Sequence, residues 1–156
     1  MSRRGCRSSD EGLLLDTPFL LPILGFETSS AIMGAFERLG FYTLHYSELS
    51  LLEASWKIVK VIKGSGEEIS RVIEGVKAIR NTMNSVSIDE ESFECAIKMY
   101  KLGHKDMIDN LLYSMAIAKK LRLLTVDKEL IEFVRRHGLP RERIVTPEEL
   151  GRPPPT

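Results

Sequence analysis

Apolar residues in this chain form short, nearly unbroken runs, separated by longer stretches in which they recur every three or four positions. The runs at 13–15, 41–44, 85–88, 121–124 and 143–145 predict five strands. Helical spacing covers the segments between them. A short helix starts at Thr17-Pro18, a second spans 29–39 and stops at Gly40, and Ser47 caps a third that runs to about Lys63. Gly64-Ser-Gly66 breaks that helix, and 67–81 resumes with Ile69, Val72, Ile73, Val76 and Ile79 at helical positions. Asp89 caps the next helix, ended by Gly103; Asp106 opens a nearly all-apolar one; Asp127 begins another that ends near His137-Gly138. Thr146-Pro-Glu-Glu149 reads as a capping-box start to a last short helix. Strands that alternate with helices and are apolar throughout belong in a parallel sheet covered on both faces. The fold expected is α/β: a three-layer α/β/α sandwich around a central parallel sheet of about five strands.

Length fits this picture. A chain of 156 residues suits one domain with a proper core, here 11–150, after a polar, basic leader at 1–10 and before a proline-rich tail at 151–156. No apolar run is long enough for a membrane span, and 13–23 makes a poor signal peptide, so a cytoplasmic location is expected. Cys6 lies in the leader and Cys95 in a helix, and no disulfide is expected between them. Glutamine is absent while Glu, Lys and Arg are plentiful, a composition that leans towards a thermophile.

Charge narrows the function. Lys plus Arg equals Asp plus Glu at 22 each, so the chain does not grip nucleic acid by bulk charge. Basic residues do cluster locally, at Lys57, Lys60 and Lys63 and at Arg135, Arg136, Arg141 and Arg143; solvated faces are the plain reading of such clusters. The acids carry more information. Asp16 ends the first strand, Glu53 sits on the second turn of the helix capped by Ser47, Asp109 opens the apolar helix, and Asp127 follows the fourth strand in Thr125-Val-Asp127. In an open parallel sheet, strand ends and helix starts on the C-terminal side face one crevice. Carboxylates gathered there repel one another unless a hard cation lies between them. Each acid also has a structural reading: Asp16 and Asp127 as helix caps, Asp109 paired with the cap Asp106, Glu53 as a partner of Lys57. Glu53 has Leu49, Leu52 and Trp56 as same-face neighbours, which predicts partial burial.

Asp16-Thr17, Ser47 with Glu53 six residues on, Asp109 at the start of an apolar helix and Thr125-Val-Asp127, in that order, resemble the PIN-domain family, most of all the small VapC-like toxins. The resemblance spans about 13–150. It implies a metal-dependent endoribonuclease with Asp16, Glu53, Asp109 and Asp127 as catalytic and metal-binding residues. One or two Mg²⁺ or Mn²⁺ ions and an RNA substrate follow, and homologous proteins suggest a homodimer and a VapB-like antitoxin. A stand-alone RNA-processing role is equally open. Thr17, Ser47 and Thr125 place hydroxyls beside the acids, where they can orient ligating carboxylates. Asp106 reads as a cap and Ser114 as packing; His45 and His137 read as structural or exposed, and His104 is near the acids without forming a metal motif. Asp16→Asn is expected to abolish cleavage with a melt near wild type. The alternatives are a catalytically inactive PIN-fold module that binds RNA or protein, and a receiver-like domain, which would need a lysine after the last strand where this chain has Thr146-Pro147.

Overall fold

The computed structural model describes residues 12–151. The leader at 1–10, with Cys6 and its arginines, and the tail beyond Gly151 lie outside the described residues. Five strands are present: β1 (Gly12–Leu15), β2 (Thr43–Tyr46), β3 (Asn84–Ser85), β4 (Arg122–Leu124) and β5 (Ile144–Val145). Six α-helices connect them: α1 (Ser30–Leu39), α2 (Glu48–Val61), α3 (Gly66–Thr82), α4 (Glu90–Leu102), α5 (Met107–Ala118) and α6 (Lys128–Arg136). Short 3₁₀ turns at Thr17–Phe19, Arg141–Arg143 and Pro147–Glu149 complete the described chain.

All strand pairs are parallel, in the order β3-β2-β1-β4-β5. From β1 the chain first builds outward through β2 to β3, then returns to place β4 on the other side of β1. The reversal lies between β1 and β4, and ligands bind outside the carboxyl ends of strands at such a switch point. Successive strand side chains point to opposite faces. Leu13, Leu15, Leu124 and Val145 therefore pack with Ile32, Ala54 and Ile79 of α1, α2 and α3. Leu14, Leu123 and Ile144 pack with Met99, Leu112 and Leu130 of α4, α5 and α6. Three helices cover each face, which is the expected sandwich. Its β1 is apolar at every position because both faces are buried: Leu13, Leu14 and Leu15 are fully enclosed.

Two strands differ from the sequence reading by more than one residue. The second strand begins at Thr43 rather than at 41, because the Phe41 and Tyr42 amides are spent on the Arg38 and Leu39 carbonyls in a turn. The third is only Asn84–Ser85, extended by one hydrogen bond from the Val86 amide to the Tyr46 carbonyl. Two helix bounds move less: α2 ends at Val61, before Lys63, and the helix after Thr17-Pro18 is a single 3₁₀ turn. Gly103 closes α4 at φ 126°, a left-handed conformation that glycine adopts without penalty, and so turns the chain towards Asp106. Among the described residues no helix is long and apolar enough to cross a membrane.

Candidate metal centre

The acids meet where the topology places a crevice. Asp16 follows β1 directly and caps the 3₁₀ turn that Pro18 favours; its Oδ1 accepts the Thr17 amide at 2.8 Å. Its Oδ2 accepts the Thr125 hydroxyl, from the end of β4, at 2.6 Å. The same Thr125 oxygen accepts the Asp127 amide at 3.0 Å, tying the two strand ends together. Thr17 Oγ1 donates to Glu53 Oε1 at 2.5 Å, so the α2 carboxylate joins the β1 terminus across the crevice. Asp109 comes from the first turn of α5 and shares a hydrogen bond with Asp127. Thr17 thus joins Glu53 to Asp16, Thr125 joins Asp16 to the Asp127 backbone, and Asp109 joins through Asp127.

The expected structural roles coexist with this assembly. Asp127 Oδ1 caps α6 through the Glu129 and Leu130 amides at 3.0 and 3.2 Å. Asp106 Oδ1 caps α5 by accepting the Asp109 amide at 3.1 Å. These helix starts orient amides and partial positive charge towards the acids, as anions at helix N-termini require. Ser47 does not reach the acids: its hydroxyl accepts the Leu49 amide and caps α2. Glu53 is half-buried, but against Thr17 and not beneath its expected neighbours, since Leu52 and Trp56 are 49% and 52% exposed. Ser114 packs in the α4–α5 seam against Met99. His137 lies against Phe133, and His45 is half-buried on β2. Cys95 is half-buried in α4.

Electrostatics mark the crevice as short of positive charge. Burial pushes the Asp16 carboxyl up to about 6, against the pull of Thr125 and Thr17, with Glu53 and Asp127 raising it further. Burial also drives Asp109 far above the carboxylate range, helped by its hydrogen bond to Asp127 and by the charges of Asp16, Asp106 and Asp127. Burial works against ionisation of Asp127 too, yet the Asp109 hydrogen bond and the Leu130 and Glu129 amides outweigh it and hold its carboxyl low. The two carboxyls are thus driven apart, Asp109 up and Asp127 down, as crowded carboxyls are.

Sequence reasoning left out Asn110. It is fully buried; its Nδ2 donates to the His104 carbonyl at 2.8 Å, which turns its Oδ1 to His104 Nδ1 at 2.7 Å. Nδ1 then carries the proton, and His104 is fixed near Asp127, whose carboxylate it helps to hold low. The available signal was a lone amide in an otherwise apolar helix, next to an acid.

The donor set tests well against a hard divalent ion. It is all carboxylate and hydroxyl oxygen, drawn from four elements, with two buried carboxyls whose ionisation is opposed by burial and by the neighbouring acids. As the side chains stand, no three His, Cys, Asp or Glu among the described residues form a ready-made cage. Each acid spends an oxygen on a neighbour: Asp16 on Thr125, Glu53 on Thr17, Asp109 on Asp127. Asp16, Glu53, Asp109 and Asp127 are the residues that would hold such an ion, and its charge would offset the repulsion among them.

Known proteins agree with the architecture. The family model for the PIN domain matches residues 13–135, and the chain belongs to the PIN-domain family. No curated protein matches it. Among solved structures, a toxin-antitoxin complex from Klebsiella pneumoniae is similar at 18% identity and TM-score 0.60, over 86% of this chain and 97% of that one. VapBC2 from Rickettsia felis, bound to a DNA fragment from its promoter, is similar at 15% identity and TM-score 0.60, over 86% and 98%. FitAcB from Neisseria gonorrhoeae is similar at 13% identity and TM-score 0.57, over 88% and 99%. At these identities the likeness shows the fold.

Proposed function

We propose that this protein is a metal-dependent endoribonuclease that hydrolyses RNA phosphodiester bonds, acting as the toxin of a toxin-antitoxin pair. PIN domains are generally nucleases, and the similar solved structures include toxin-antitoxin complexes. The observation that carries the reading is the carboxylate chain from Glu53 through Asp16 to Asp127 and Asp109, joined by Thr17 and Thr125 at the β1–β4 switch point. Asp16, Glu53, Asp109 and Asp127 would hold one or two Mg²⁺ or Mn²⁺ ions. When bound, such an ion lowers the pKa of water and offsets charge on the scissile phosphate. The protein's own part is positional. Thr125 and the Thr17 amide fix both Asp16 oxygens, Thr17 aims Glu53, and Asp106 with the α5 N-terminus sets the angle of Asp109. In this reading Glu53 completes the site or orients the attacking water, with Asp127 a ligand beside Asp109.

Two partners complete the proposal. An antitoxin segment would cover the acidic crevice, in keeping with the toxin-antitoxin neighbours. A second copy would pair through α4, whose outer face exposes Phe93, Ile97 and Tyr100. The rival, an inactive module that keeps the fold, is disfavoured by the presence of all four acids.

The test is cleavage of pooled, end-labelled RNA with Mg²⁺, with Mn²⁺ and with EDTA, wild type beside Asp16→Asn. Expected is cleavage that needs metal and falls at least 100-fold in the variant, with Mn²⁺ raising the melting temperature of wild type only. No cleavage and no Mn²⁺ effect on the melt would hand the protein to the inactive-module reading.

A further inference from the structure

Beside the acids runs an open groove of about 640 Å³. Glu53 and Trp56 of α2 form one wall, and the turn that carries His104, Lys105 and Asp106 forms the other. Trp56 is the only tryptophan of the chain and is 52% exposed. It lies one helical turn beyond Glu53, on the same face of α2. Leu52 and Val59 are also exposed on this helix, but neither lines the groove; the aromatic rings that line it are Trp56 and the His104 imidazole, and His104 is buried. Lys105 reaches the rim with its Nζ 4.4 Å from the centre of the Tyr100 ring, which holds one positive charge beside the groove.

We propose that Trp56 is a positioning residue that stacks an unpaired nucleobase adjoining the bond to be cut. The inference rests on the nuclease reading above. Its logic is energetic. The chain has net charge +0, and the groove carries Glu53, Asp106 and Glu129 against Lys105, so phosphate attraction supplies little affinity here. Stacking does not depend on charge. Removing an aromatic platform costs ~1–3 kcal/mol per base, and every base offers a face. An A-form duplex hides those faces within its own stack, whereas a single strand can splay one out. An exposed indole in an acidic groove therefore selects strands whose bases are free.

The sole tryptophan is its own probe. The full chain, in EDTA to prevent cleavage, is titrated with a short mixed-sequence RNA, single-stranded or annealed to its complement, while indole fluorescence is recorded. Saturable quenching by the single strand and none by the duplex is expected. By fluorescence polarisation of labelled RNA, Trp56→Ala should weaken binding ~5- to 100-fold, and Trp56→Phe should stay within about threefold of wild type because it keeps a ring. In cleavage assays Trp56→Ala should act mainly on KM, and its melt should still rise with Mn²⁺, separating a lost platform from a broken acidic centre. Equal quenching by both RNAs, or no quenching, overturns the proposal. So does a fluorescence change on protein dilution without RNA, which would mean that a second copy covers Trp56. If quenching is selective but neither metal effect nor cleavage appears, the platform stands and the nuclease reading is what fails.

Discussion

Asp16 is the residue on which site and stability pull in opposite directions. Its ordinary carboxyl value is 3.8 and burial lifts it to about 6. Between those values the folded protein keeps a proton that the unfolded chain has lost, so this group's contribution to stability falls as pH rises from 4 to 6 and is flat above. At pH 7 the ionised, buried Asp16 costs up to about 3 kcal/mol. Asparagine has the same shape, can still accept the Thr17 amide, and carries no charge. Asp16→Asn should therefore raise the melt of the metal-free protein at pH 7 by ~2–8 °C and change it little at pH 4.5. This revises the sequence-based expectation of an unchanged melt. Thermal scans in EDTA at the two pH values decide it, and a melt at pH 7 that stays put or falls would mean that the Thr125 and Thr17 donors already balance the charge. Saturating Mn²⁺ should reverse the order, since it stabilises only the carboxylate form of the site.

At the scale of elements, close approach explains one position that composition does not. Gly75 is buried in the middle of α3, and a Cβ there would lie 2.5 Å from the Ile23 carbonyl oxygen and 2.8 Å from Leu24 Cα. Those are backbone atoms of the segment leading into α1, so relief requires α3 to move. Helix propensity favours alanine over glycine by ~1 kcal/mol, while overpacking costs ~1–3 kcal/mol; Gly75→Ala should be net destabilising by about 1 kcal/mol. A urea midpoint that drops at unchanged slope would show it, and a rise would mean that the segment before α1 gives way. From sequence, Gly75 is only a flaw in a good helix. The same limit runs through the fold. Buried apolar runs made β1 and β4 legible, and caps at Ser47, Asp89, Asp106 and Asp127 gave four helix starts. Helical periodicity could not say which face turns inward. In α4 the small Ala96 and Met99 are buried, while the larger Phe93 and Ile97 face out. The acids could be read because strand ends and helix starts fix where they sit. The Asn110–His104 clamp could not, because it depends on the path of the turn after Gly103.

Across the whole molecule, α4 carries the exposed apolar surface through which the proposed second copy would pair. Its outer face carries Phe93, Ile97 and Tyr100, between 37% and 50% exposed. Acids crowd its first half at Glu90, Glu91 and Glu94, and lysines its second half at Lys98 and Lys101. Two such helices packed antiparallel about an axis near Ile97 would set each acidic half against the other's basic half, an isologous contact. Glu94 and Lys98 already pair within one chain at 3.0 Å, so both are placed to exchange partners across the axis. Three half-exposed side chains offer on the order of 300 Å², under half of the ~800 Å² that each partner usually gives to a stable interface. The dimer expected is therefore weak and concentration-dependent, with a dissociation constant in the micromolar range and a salt sensitivity that reflects its charged rim. Sedimentation velocity from about 1 to 100 µM should show the sedimentation coefficient rising with concentration, less steeply in 1 M salt. Ile97→Asp, a surface change that buries nothing new, should hold the protein monomeric throughout while leaving the Mn²⁺-dependent melt intact. A wild type that stays monomeric at 100 µM would remove the second copy from the proposed function and leave the α4 face to another partner.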